Sequence, residues 1–194
     1  MKVLIAGAGI GGLTTALMLH ARGITVQIYE TAAEVREAGV GINILPHAIR
    51  ELETLGLLPA LDVVGLRTRR LTYYTRSGQE VWSELRGTYA GHEVPQFSIH
   101  RGRLQHLLNK AVLDRLGPKA VQTGRRLGGF VQDDKGITAH FANSIDGSKG
   151  ITVRGDVLIC CDGIHSAGRK VFYPNEKSPS WNGVMMWRGA VDWP

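Results

Sequence analysis

An α/β fold built on a strand–glycine loop–helix–strand unit is what this sequence predicts, and three observations predict it. Val3–Ala6 is a short apolar run. Residues 7–12 read GAGIGG and lead into a helix-like stretch, Leu13–Arg22, that stops at Gly23. Thr25–Glu30 then alternates as a second strand and ends on an acid. Two strands joined in this way are expected to lie parallel and adjacent, linked by a right-handed crossover.

The first strand is read from its continuous apolar character, which suits burial on both faces. In the loop, Gly7, Gly9 and Gly12 make G-x-G-x-x-G, with Gly11 as a further glycine inside it. Such spacing has a mechanism. The first glycine permits a tight turn out of the strand, the second lets the backbone approach a diphosphate, and the third lets helix and strand pack closely. The helix N-terminus then presents unpaired N–H groups to the anion. Glu30 stands where a carboxylate can accept hydrogen bonds from both ribose hydroxyls of an adenosine, and it would repel a 2′-phosphate. A tightly bound dinucleotide other than NADP is therefore expected.

Further along, Pro46–Leu55 reads as a helix with proline near its start and Gly56 after it. Arg70–Thr75 and Glu80–Glu84 flank Ser77–Gly78 as a hairpin, and Gln96–His100 is a short strand. Leu104, Leu107, Leu108, Ala111 and Val112 form a helix stripe. Val131 and Ile137–Phe141 flank Asp133–Gly136 as a second hairpin. Asp156–Cys161 is a buried strand broken by Asp162–Gly163, a short helix starts near Ser166, and Gly183–Val191 is a last strand.

Composition narrows the class. The chain has 194 residues, 43% hydrophobic and 21% charged, as a soluble globular protein would. Lysine and arginine number 23 against 17 acids, a formal charge of +6. The basic residues are scattered, and the short groups Arg67/Arg69/Arg70 and Arg125/Arg126 lack aromatic interleaving, so no nucleic-acid partner is expected. The uncharged run Val3–Leu19 is too short and glycine-interrupted for a membrane span, and no cleavage site follows it, so neither a signal peptide nor a membrane partner is expected. Cys160 and Cys161 are adjacent and can neither staple the fold nor hold a metal, which reads as a cytoplasmic protein without a metal site.

Three further segments carry a resemblance. CCDGIHSAGRK (160–170) ends a strand in Asp-Gly and opens onto Ser-x-x-Arg; GVGINILPHA (39–48) is a glycine-rich segment before a helix; IHRGRLQ (99–105) sets an arginine before another. Together with the loop they resemble the FAD-dependent aromatic-ring hydroxylases, the single-component flavoprotein monooxygenases, and are most similar to their phenazine-modifying branch. VWSELRGTYAGHEVPQFSIHRGRLQ and the late MMWRG share in it, so the similarity covers essentially the whole chain.

The resemblance implies a Rossmann-like FAD-binding domain of the glutathione-reductase type, with an interleaved, truncated substrate-domain β-sheet. It implies residues 1–66 and 96–173 for the FAD part, and 67–95 and 174–194 for the substrate part. FAD is the implied cofactor, with NADH or NADPH as a transient co-substrate. The implied reaction is oxygen-dependent hydroxylation of a small aromatic or N-heteroaromatic carboxylate through a flavin C4a-hydroperoxide, and a homodimer is compatible with it. Matching positions give cofactor roles to Asn43, Arg101, Asp162, Gly163 and the backbone of Leu127, beside the loop glycines and Glu30. Arg101 at a helix start faces the wrong end of the dipole, a mismatch that a bound anion would repair. His47 replaces the usual asparagine and reads as a surface or capping residue, and no catalytic acid or base stands out.

This sequence departs from the family at Gly168, where an apolar residue is usual; the helix there is expected to start later or be looser. The family's third fingerprint, a Gly-Asp ending a strand, is not present, since Gly155–Asp156 precedes the next strand instead. A truncated or naturally short form is expected, inactive in hydroxylation by itself and prone to self-association along exposed sheet edges. The alternatives are a non-catalytic FAD-binding fragment and a halogenase or reductase of the same fold, although no W-x-W-x-I-P halogenase motif occurs in these residues. A plain NAD dehydrogenase is the further rival left by the glycine loop.

Overall fold

A computed structural model describes residues 1–35 and 39–187. The chain divides into two units, Met1–Arg36 with Leu108–Met186, and Glu37–Leu107 with Trp187–Pro194.

The first unit opens with β1 (Lys2–Ala6), α1 (Ile10–His20) and β2 (Thr25–Tyr29). β1 and β2 are parallel neighbours, Val3 opposite Val26 and Ile5 opposite Ile28, as the alternation predicted. Val3, Leu4, Ile5 and Ala6 are all buried, which explains their uniform apolar character. α1 begins three residues earlier than expected, inside the glycine run, and Gly23 at φ +73° ends the turn after it.

In the second unit, β3 (Gly41–Ile44), α2 (Pro46–Thr54), α3 (Leu58–Val64) and β4 (Gly65–Arg67) come first. The hairpin of β5 (Arg70–Tyr74) and β6 (Glu80–Leu85) turns at Ser77–Gly78 as expected, with Gly78 at φ +82°. A 3-10 turn (Gly87–Ala90) and β7 (Phe97–His100) follow. β7 is central in a three-stranded antiparallel sheet ordered β3-β7-β4. The sequence did not single out β3, α3 or β4. Gly65, between α3 and β4, has room for no side chain: a Cβ would lie 3.0 Å from the Phe97 ring and 3.2 Å from the Leu61 carbonyl.

α4 (Arg101–Leu116) carries the predicted stripe, with Leu104, Leu108 and Val112 buried, and runs through the boundary between the units. The first unit resumes with β8 (Val121–Gln122), the hairpin of β9 (Arg125–Asp133) and β10 (Gly136–Asn143), then β11 (Ile151–Gly155), β12 (Val157–Cys160) and α5 (Ala167–Phe172). The late strand expected over Gly183–Val191 is absent from 183–187, and its remainder lies outside the described residues.

Two sheets form the first unit. One is parallel, ordered β12-β1-β2-β8; the other is antiparallel, ordered β11-β10-β9. Their shared core holds Leu4, Ala6, Tyr29, Leu127, Ala139 and Phe141. Tyr29 and Phe141 stack with ring centroids 4.1 Å apart, and burial pushes the Tyr29 phenol above its ordinary pKa. Among the described residues no helix is long and apolar enough to cross a membrane.

Candidate functional site: the glycine loop and its neighbours

β1 enters the loop at Gly7, whose φ of +102° needs glycine and whose N–H donates to the Tyr29 carbonyl at 2.7 Å. A Cβ here would lie 2.8 Å from the Cys161 carbonyl carbon and 3.2 Å from the Asp162 nitrogen. The turn is therefore tight against the exit of β12 as well as against β2. Gly12 is buried at the start of α1, where a Cβ would lie 3.1 Å from the Gly7 carbonyl carbon and closer still to its oxygen. This is the close helix–strand packing the spacing predicted.

Gly9 and Gly11 differ. A Cβ at either would meet nothing within 4 Å. Gly9 is the N-cap of α1, with no side-chain cap and no acid in the first turn. No protein packing demands glycine at these two positions, and the helix presents its first-turn donors without a capping carboxylate.

Glu30, just past β2, is fixed onto the loop. One carboxylate oxygen accepts from Ala8 N–H at 2.6 Å and the other from Ala32 N–H at 2.8 Å. A carboxylate has about four lone-pair positions, so two remain for a ligand's hydroxyls. The motif suggested a ribose partner; the structure adds that Glu30 also orients the loop.

Asp162 and Gly163 follow β12. Asp162 Oδ2 accepts from Ala167 N–H at 2.7 Å and from Gly168 N–H at 3.2 Å, holding the start of α5, while Ser166 Oγ caps Arg169 N–H at 2.9 Å. The other oxygen, Oδ1, is buried and has no hydrogen-bond partner among the described residues. Gly163, at φ +77°, is exposed. Arg169 pairs with Glu176 through Nε and Nη2, each at 2.5 Å, and this holds the Glu176 carboxyl below its ordinary range.

The expectation of a late or loose helix at Gly168 is corrected. α5 begins at Ala167 and is doubly capped. Gly168 is buried, and a Cβ there would lie 2.8 Å from Cys160 Cβ and closer still to its Sγ. The cysteine occupies the space that a side chain would need. Burial, with the neighbouring Asp162 charge second, pushes the Cys160 thiol up to about 11.

Leu127 lies in β9 with its side chain in the core, so only its backbone is free to meet a ligand. Asn43 and Arg101 are placed in the second unit. Asn43 Oδ1 accepts from Ser98 Oγ at 2.7 Å, and Ser98 is linked to Thr68 Oγ1 at 2.7 Å, a polar relay from β3 through β7 to the residue after β4. Neither Ser98 nor Thr68 was singled out from the sequence; that Ser98 on β7 stands opposite Asn43, with Thr68 just past β4 behind it, becomes visible only with the register. Arg101 is the first residue of α4 rather than the residue before it. Its N–H donates to the Val40 carbonyl, and its aliphatic stem covers Gly39, where a Cβ would lie 3.3 Å from Arg101 Cδ.

The loop suits a dinucleotide on two counts that owe nothing to its motif: the open space over Gly9 and Gly11, and the unpartnered Asp162 Oδ1. Comparison with known proteins agrees. Residues 1–182 match the FAD binding domain family. The chain is 44% identical to phenazine 1,6-dicarboxylic acid hydroxylase of Lysobacter antibioticus over 98% of its own length and 47% of that protein's. It is 34% identical to the aurachin C monooxygenase/isomerase of Stigmatella aurantiaca, over 99% of this chain and 48% of that protein. A crystal structure of Klebsiella pneumoniae HpxO with FAD and uric acid superposes with TM-score 0.71 at 30% identity, over 88% of this chain and 41% of that one. The chain spans about half the length of the curated relatives it matches. With a glycine loop seated by an acid and a family match over nearly its whole length, this chain belongs to the FAD binding domain family of flavin-dependent monooxygenases.

Proposed function

We propose that this chain supplies the FAD-holding part of a monooxygenase that hydroxylates a planar aromatic or N-heteroaromatic carboxylate, using NADH or NADPH and oxygen, in the cytoplasm. The observation that carries the reading is the Glu30 carboxylate fixed on Ala8 N–H beside the open positions over Gly9 and Gly11. Nearly half identity to a phenazine dicarboxylate hydroxylase supports the substrate class.

Gly7 and Gly12 hold the loop in shape, while Gly9 and Gly11 leave room for the diphosphate, which takes the first-turn N–H groups of α1. Glu30 accepts the adenosine ribose hydroxyls on its remaining lone pairs. Asp162 offers Oδ1 to a hydroxyl of the cofactor, and Gly163 keeps the approach clear of a side chain. The family resemblance assigns Asn43, Arg101 and the Leu127 backbone to the same cofactor. Residues 1–66 and 96–173 form the FAD part and 67–95 with 174–194 the substrate part in this reading, and a homodimer is compatible with it. When bound, the flavin supplies electron transfer and oxygen activation; the protein holds and orients it and excludes water.

The test is an FAD titration of purified protein followed by absorbance, then mass spectrometry for hydroxylated product with NADH or NADPH, oxygen and candidate aromatic acids. Uptake of FAD with a resolved flavin band is expected. Protein that binds NAD in place of FAD would overturn the reading.

A further inference from the structure

The second unit contains a cleft that none of the assignments above uses. Its volume is about 450 Å³, within the range of small-molecule sites. The first turn of α2, the end of β6, the 3-10 turn and the segment before β7 enclose it. Leu45, Pro46, Leu85 and Ala90 give it apolar walls. Gly87, at φ +55°, brings the turn against the backbone of Pro95, where a Cβ would lie 3.0 Å from the carbonyl carbon. The cleft is thus shaped by backbone, before any side chain adjusts.

Its polar groups are few, and one buried side-chain donor lacks a partner. Gln96 is buried, with 3% of its surface exposed, and lines the cleft. Arg86 Nε–H is buried and has no acceptor among the described residues, a costly state unless a ligand supplies one. The Arg86 guanidinium is paired with Glu84, which lines the same cleft, so those two charges cancel. Arg50, which lines the cleft with His47 and His92, has no ion-pair partner among the described residues. On α2, Pro46 has no N–H, while Ala48 and Ile49 N–H both go to the Leu45 carbonyl at 3.0 and 3.1 Å. The His47 N–H is the uncommitted donor of that turn.

We propose that this cleft binds the carboxylate end of a planar aromatic monoacid, and so selects the acid group of the substrate; this rests on the function proposed above. The carboxylate takes Arg86 Nε–H and the Gln96 amide, with Arg50 supplying the counter-charge. The ring lies between Leu45 and Leu85. A phosphate dianion fits less well, because one of the two arginine charges is already spent on Glu84.

The test titrates FAD-saturated protein, without reductant, with phenazine-1-carboxylate and with unsubstituted phenazine by calorimetry. The acid is expected to bind at least about tenfold tighter than the neutral ring, as charge-assisted hydrogen bonds allow. Gln96→Leu and Arg86→Lys are expected to reduce that preference to below about threefold while the flavin spectrum stays unchanged. Arg50→Gln, at an exposed position that cannot collapse the core, is expected to weaken acid binding and flatten its salt dependence. It decides the matter if circular dichroism shows the Gln96 variant unfolded. Equal affinity for the two probes, or a preference untouched by all three substitutions, overturns the proposal. A parallel titration of protein without added FAD separates the readings: protein that takes up no FAD but keeps the acid preference would overturn the functional reading and leave the cleft standing. FAD uptake without acid preference would do the reverse.

Discussion

Replacing Gly168 by alanine sets two effects of known size against each other. Alanine is favoured over glycine in a helix interior by about 1 kcal/mol, and Gly168, in the first turn of α5, gains at most that. Against this, the new Cβ would come within 2.8 Å of Cys160 Cβ and closer to Sγ, with Gly168 buried. Overpacking of this kind costs about 1–3 kcal/mol. Gly168→Ala alone should therefore be neutral to about 2 kcal/mol destabilising, despite the better helix former. Cys160→Ala removes the sulfur and leaves a Cβ–Cβ approach that a small shift relieves. In that background Gly168→Ala should cost about 1–2 kcal/mol less than in the native chain, a coupling typical of residues in contact. Urea midpoints of the four proteins, at constant m, measure it. If the two changes add within about 0.3–0.5 kcal/mol, the sulfur does not occupy that space and the explanation for this glycine fails.

Glu30→Ala leaves Ala8 and Ala32 N–H without their acceptor and removes the ribose partner, so FAD binding should weaken by about 1–3 kcal/mol; an unchanged titration would remove Glu30 from the site. A Cβ at Gly9 meets nothing within 4 Å, so Gly9→Val should keep native circular dichroism while FAD binding is lost, whereas Gly12→Ala drives a Cβ into the Gly7 carbonyl and should lower the melting temperature itself. Equal melting temperatures for the two variants would contradict this division. The Cys160 thiol, raised to about 11 from an ordinary 9.0, should resist iodoacetamide at pH 8 in native protein and react in urea. Because the folded pKa is the higher one, this group's contribution to stability is present below pH 9 and declines as pH rises toward 11, so urea midpoints should fall between pH 8 and 10.5.

The elements most legible in the sequence were those whose signal is local. β1, the loop and β2 announce themselves by period and glycine spacing, and both hairpins by their turn residues. β3 and β4 carry no such signal: GINI and GLR are short, and each is a strand because β7 pairs with it. α1 starts inside the glycines because the loop geometry, not propensity, opens that helix. The site shows the same division. The loop glycines and Glu30 could be picked out with their roles, but the contact of Gly7 with Cys161 and of Gly168 with Cys160 depends on a pairing across most of the chain. Gln96 was invisible as a site residue because a polar residue in VPQF reads as strand alternation until its burial is known.

β1 lies between β2 and β12, and Lys2 N–H donates to Asp156 across 154 residues of chain. During synthesis, at about 5–20 residues per second, β1 waits on the order of 8–30 seconds for that second neighbour. Through this interval Val3, Leu4 and Ile5 have one flank open, and Gly7 has nothing from residues 161–162 to close against. The nucleotide loop is therefore among the last parts of the first unit to acquire its shape, although it is synthesised well before β12. Cofactor capture then reports completed folding, and a chain stalled before β12 would expose an apolar strand edge to aggregation and to chaperones.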